Sequence, residues 1–139
     1  MELNAFAARW LAIGAALMLA GVVLGAFGAH VAAGRLAPRD LEVLHTAVSY
    51  HQLHALGLMI VACAGRGTDP GLLRVAARLL LAGIVLFSGS LYALALGAPR
   101  ALGAVTPLGG LAFMAGWAAI AWHAWRVALR AGSDVAPRT

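Results

Sequence analysis

Four of the five histidines fall in one stretch, between Gly25 and Leu58. His51 and His54 are spaced i, i+3, so on a helix they rise on adjacent turns with the spacing of a two-imidazole chelate. Histidines contributed by two helices can also sandwich a haem. Against both, no carboxylate or thiolate stands beside them, and the single cysteine, Cys63, sits in an apolar run. The other polar groups inside apolar sequence are His30, Tyr50, Ser88, Ser90, Tyr92 and Thr106. No nucleophile, base and orienting group form a set, so an enzyme is not expected. No acid lies inside an apolar run, which argues against proton-coupled transport. No cofactor is expected either, and no metal, with His51 and His54 as the alternative ligand pair.

Such residues must be positioned by helices in lipid, because the composition allows little else. The chain has 139 residues, 63% hydrophobic and 11% charged, with a mean hydropathy of +0.89. A soluble domain is about half apolar and a quarter charged. The net charge of +5 would suggest nucleic acid in a soluble protein. Here the arginines stand at the ends of apolar runs, where they anchor helices and set orientation, so no nucleic-acid partner is expected. One cysteine leaves no intrachain disulfide.

The first apolar run, residues 10–30, carries no formal charge over a length that spans a bilayer. It has no cleavage site ahead of a soluble domain and is expected to stay as a helix. Gly21, Gly25 and Gly28 lie on one face of it, a stripe on which another helix can pack closely. Pro38 then suits the first position of a second helix, with Asp40 and Glu42 favourable at its positive end. Ala37 offers no side-chain cap. This helix is predicted to run to about Gly65, amphipathic first and spanning over residues 49–65. Gly65 to Gly71 is a loop by its breakers. A third span covers residues 73–96, with Arg74 and Arg78 snorkelling from its early turns. After the Gly97–Arg100 turn, Thr106 as cap and Pro107 open a fourth span over residues 107–129. Gly109 and Gly110 add small residues for packing there.

Orientation follows from the arginines. If both termini share a side, that side holds Arg9, Arg66, Arg74, Arg78, Arg126, Arg130 and Arg138, against Arg35, Arg39 and Arg100 opposite. Seven against three places both termini in the cytoplasm, with Trp10, Trp122 and Trp125 at the same interface. A rise of 1.5 Å per residue puts His54 and Ser90 each roughly 18 Å from that edge, with Tyr92 and His51 about 3–4 Å deeper. Helices two and three therefore carry their polar groups in one layer.

In order along the chain come GAFGAH (Gly25 to His30), YHxxHAL (from Tyr50), FSGSLY (Phe87 to Tyr92) and TPLGG (Thr106 to Gly110), followed by Trp117. This pattern resembles the membrane family called domain of unknown function 423, itself similar to the small eukaryotic transmembrane protein 256. The resemblance covers nearly the whole chain. It implies a small multi-pass integral membrane protein and brings no established activity. The positions that match are His30, Tyr50, His54, Ser88, Tyr92, Thr106, Pro107, Gly109 and Gly110. His45 and His51 stand where the pattern does not place histidine.

The expected architecture is all-α: a single four-helix transmembrane domain over residues 1–139, in the bacterial inner membrane with both termini cytoplasmic. The expected function is a non-enzymatic structural, helper or small-ligand-binding role. His54 is expected to face the interior and bond across to Ser88, Ser90 or Tyr92. Three readings of the layer stay open: hydrogen bonds that only tie helices together, a pocket for a lipid or other amphiphile, and histidine-based metal or haem ligation, with small-molecule transport beside it. The bilayer is the certain partner, and a second copy or another membrane protein is left open.

Overall fold

The computed structural model describes residues 3–32, 34–66 and 70–133. The middle of the predicted Gly65–Gly71 loop and the tail with Arg138 lie outside these. Among the described residues there is no strand, and four helical rods are long and apolar enough to cross a membrane. They comprise α1 (Ala5–Phe27) running into a π turn (Gly28–Ala32) and α2 (Pro38–Ala64). The third rod is α3 (Gly71–Gly83), a π turn (Ile84–Ser88) and α4 (Gly89–Ala95), and the last is α5 (Thr106–Ser133).

Each boundary has a local cause. Asn4 caps α1 by accepting from the Ala7 amide at 2.8 Å, while its own amide donates to the Gly65 carbonyl at 2.9 Å. One side chain thus closes the start of α1 and ties it to the end of α2. Helix α2 begins at Pro38 behind an uncapped Ala37, as its sequence indicates. Helix α4 ends in a Schellman turn: the Ala98 amide donates to Ala93 O and the Gly97 amide to Leu94 O. Gly97 takes φ +92°, which a side chain would resist. Helix α5 starts one residue earlier than expected, at Thr106, whose hydroxyl is committed elsewhere.

Helices next to one another in the chain pack antiparallel, whereas α2 and α5 run in the same direction where they touch. A Cβ built on Gly14, Gly21, Gly25 or Gly28 meets Met59, Gln52, Val48 or Leu44 of α2, respectively. The glycine stripe therefore lies on α2, where side chains would hold the backbones apart. On the far flank, Gly83 abuts Phe113, Gly109 abuts Phe87 and Gly116 abuts Leu80. The start of α1 and the end of α5 consequently sit at one end. The core joins Trp10, Leu58, Val61, Leu73, Leu80 and Phe113. Trp10 is buried there rather than turned to the headgroups, whereas Trp122 and Trp125 are exposed. The order α1, α2, α3, α5 leaves α1 and α5 on opposite flanks, each presenting apolar side chains such as Leu19, Val23, Leu111 and Met114 outward, as a lipid solvent permits.

Candidate functional site

The anticipated polar layer is split by the fold into separate pairs. His54 is buried, with 3% of its surface exposed. It does not bond Ser88, Ser90 or Tyr92. Its Nδ1 instead donates to the Tyr50 carbonyl of its own helix at 2.7 Å. The ring lies face to face on Phe113 of α5, with centroids 3.4 Å apart and planes 12° from parallel. The i, i+4 spacing explains this: a histidine on the inner face of a helix can reach back to the carbonyl one turn earlier, and an aromatic partner then satisfies its faces.

The bond to Tyr92 is made by His51, one of the two histidines that stand outside the family pattern. His51 Nδ1 and Tyr92 Oη are 3.0 Å apart, and the rings meet edge to face. The Leu17 carbonyl of α1 approaches His51 without forming a hydrogen bond to its buried Nε2. His51 is thus directed at α1 and α4 and His54 at α5, so the pair does not converge as chelating ligands. Among the described residues, no three histidine, cysteine or carboxylate side chains come together.

The hydroxyls form another link. Ser90 Oγ donates to Phe87 O at 2.9 Å and lies 2.7 Å from Thr106 Oγ1. Since Ser90 has one proton, Thr106 donates to it, and Thr106 is itself the first residue of α5 rather than the residue before it. Phe87 O belongs to the π turn, where the amide of Gly89 reaches back to Ile84 O. Ser88 Oγ is buried with no hydrogen-bond partner. His30 is exposed in the first π turn, outside the bundle interior.

Between α2 and α5 the structure opens a groove of about 810 Å³, lined among others by Tyr50, His54, Phe87, Phe113 and Trp117. Tyr50 is 42% exposed at its edge, and Leu53, Leu111 and Met114 are exposed beside it, so the groove opens sideways toward lipid. Tyr50 packs on Phe87 with centroids 4.6 Å apart. Gly110 belongs to this groove rather than to a helix contact. A Cβ there would meet only Phe87 Cδ2, at 3.9 Å, whereas one on Gly109 would strike the Phe87 backbone. Because His54 Nδ1 carries the proton given to Tyr50 O, Nε2 of the neutral ring is an acceptor. It has no hydrogen-bond partner among the described residues, and unlike His51 Nε2 it is not sealed from the surface.

Phe87 and Phe113 were not singled out by sequence reasoning. The available signal was the i, i+4 pair Phe113 and Trp117 on α5. Asn4 was missed too, although an asparagine immediately before an apolar run is a helix-start signal.

Comparison with known proteins agrees with this architecture. Residues 24–110 match the model of a family described as "Protein of unknown function (DUF423)". The chain is 50% identical over 106 residues to the UPF0382 membrane protein YwdK of Bacillus subtilis, covering 76% of this chain and 86% of that one. It is 47% identical to the UPF0382 membrane protein SH2409 of Staphylococcus haemolyticus, over 76% and 85% of the two chains. It is 40% identical to the UPF0382 inner membrane protein YgdD of Escherichia coli K12, over 70% and 74%. No solved structure matches. With the family model spanning the end of α1 to the start of α5, and relatives matched over most of their length, the chain belongs to the DUF423 family of membrane proteins.

Proposed function

We propose that this protein is a non-catalytic membrane protein that holds a small apolar molecule bearing a hydrogen-bond donor in the groove between α2 and α5. The observation that carries the reading is His54, stacked on Phe113 and locked by Tyr50 O, with Nε2 left as an acceptor in an aromatic-walled groove. Apolar walls supply affinity and a few placed polar groups fix orientation in such sites. The groove's lining residues include no carboxylate or thiol to act with His54, which favours binding over chemistry. The His51–Tyr92 and Ser90–Thr106 links favour a second reading, in which the polar groups only hold helices together.

Nitrogen NMR of histidine-labelled protein in detergent separates the two, using para-dodecylphenol and its methyl ether as probes. An unmade hydrogen bond to a buried acceptor costs about 1–3 kcal/mol, so the phenol should bind about tenfold tighter and move the His54 Nε2 resonance. Equal affinities, or an unmoved resonance, would leave the structural reading. Orientation belongs to the same proposal: an inner-membrane protein with both termini cytoplasmic, on the arginine distribution. Reporter fusions at Thr139 should read cytoplasmic and those beside Arg35 and Arg100 external, and a cytoplasmic signal at Arg35 would reverse it.

A further inference from the structure

The end of the bundle where α1 starts and α5 finishes has a second, chemically different site. A cleft of about 380 Å³ lies between the opening turns of α1 and α3, lined by Ala5, Phe6, Arg9, Trp10, Arg74 and Arg78. Arg74 and Arg78 are spaced i, i+4 on α3, and Phe6 and Trp10 are spaced likewise on α1, so each helix turns one face to the cleft. The cleft exists because α1 packs on α2 and α3 on α5, leaving the first turns of α1 and α3 apart.

Three guanidinium groups in one cleft repel one another unless an anion joins them. Among the described residues, none of the three guanidinium groups has a hydrogen-bond or ion-pair partner. Among the described residues the carboxylates are Asp40 and Glu42, at the start of α2 and so at the opposite end of the bundle. Glu2, Asp69 and Asp134 lie outside the described residues. The N-terminal ends of α1 and α3 both face this side, and their dipoles add to the positive field.

We propose that this cleft binds a phosphate group, and that the phosphate is the headgroup of an acidic phospholipid. Arginine forks match phosphate oxygens two at a time, which favours phosphate over a single-point anion. The choice of lipid follows from the rest of the lining. Phe6, with the small edge of the otherwise buried Trp10 that reaches the cleft, offers an apolar wall against the glycerol and upper acyl chain, at the start of two spans where headgroups lie. A free phosphate would leave that wall unused. This site is independent of the α2–α5 groove and of its occupant.

The test is thermal unfolding of the full-length protein in a neutral maltoside detergent, with native mass spectrometry of retained lipid. The probes are dioleoylphosphatidylglycerol, dioleoylphosphatidylcholine and inorganic phosphate. Phosphatidylglycerol should raise the melting temperature and remain bound, with phosphatidylcholine much weaker. Arg74→Gln, Arg78→Gln and Arg9→Gln should each weaken phosphatidylglycerol about tenfold, the loss of a charge-assisted hydrogen bond, while melting in phosphatidylcholine stays as in the parent. Arg126→Gln, which removes the same charge from α5 outside the cleft, should keep the response. If a glutamine variant fails to fold, Arg74→Lys and Arg78→Lys keep the charge and should still lose part of the response by losing the fork. The proposal is overturned if the two lipids act alike, if Arg126→Gln loses as much as the cleft variants, or if the lysine variants respond in full. It is also overturned if inorganic phosphate reproduces the whole shift, since the lipid would then add nothing.

Discussion

Gly109 and Gly110 are neighbours in one helix, yet the same methyl group should have opposite effects at the two positions. At Gly109 a Cβ would lie 2.7 Å from Phe87 Cβ and 2.8 Å from Phe87 Cα, with the Phe87 amide nitrogen nearer still. Backbone cannot rotate aside, so α5 must move off the π turn. Overpacking costs about 1–3 kcal/mol, and a backbone obstacle puts this case at the upper end, about 3 kcal/mol. Alanine recovers about 1 kcal/mol of helix propensity, leaving a net loss of about 2 kcal/mol for Gly109→Ala. At Gly110 the Cβ meets Phe87 Cδ2 at an ordinary 3.9 Å. Gly110→Ala should therefore keep the propensity gain, up to about 1 kcal/mol. The expected separation is about 3 kcal/mol, measured by unfolding each variant with sodium dodecyl sulfate in mixed micelles and following helix content. If the two variants unfold within about 0.5 kcal/mol of each other, a spread that independent sites show by chance, α5 does not rest on the π turn at Gly109.

Tyr92→Phe leaves both ring nitrogens of His51 without a hydrogen bond and should cost about 1–2 kcal/mol. A cycle with His51→Leu should show coupling of about 1 kcal/mol, and additive losses would mean the 3.0 Å contact carries no energy. Asn4→Ala removes the α1 cap and the tie to Gly65 together, so it should cost about 2 kcal/mol, against about 1 kcal/mol for Asn4→Ser, which keeps the cap alone; equal losses would show that the tie to Gly65 contributes nothing. Gly25→Leu should lower the melting temperature in detergent, because its Cβ already approaches Val48 Cγ1 to 3.3 Å and three more carbons must follow; a parent-like melt would mean that the glycine stripe yields without cost.

The four spans, the start of α2 at Pro38 and the close approach along Gly21, Gly25 and Gly28 were all legible in the sequence. Each depends on local signals: run length in lipid, a missing amide proton at a helix start, and small residues at helical spacing. Depth was legible too, since the 1.5 Å rise brings His51 and Tyr92 to one level. What depth cannot say is which way a side chain turns at that level. His51 and His54 are three residue steps of about 100° apart, which leaves them about 60° from each other around the helix, and only the placement of α4 and α5 against α2 sends His51 to Tyr92 and His54 to Phe113. The same placement decides that Gly109 is a contact while Gly110 is a groove wall, and that Trp10 is core. Lengths and caps are properties of one helix and can be read along it. The partners of a buried side chain are set by how several rods rotate against one another, and that rotation is determined by all their packed faces together.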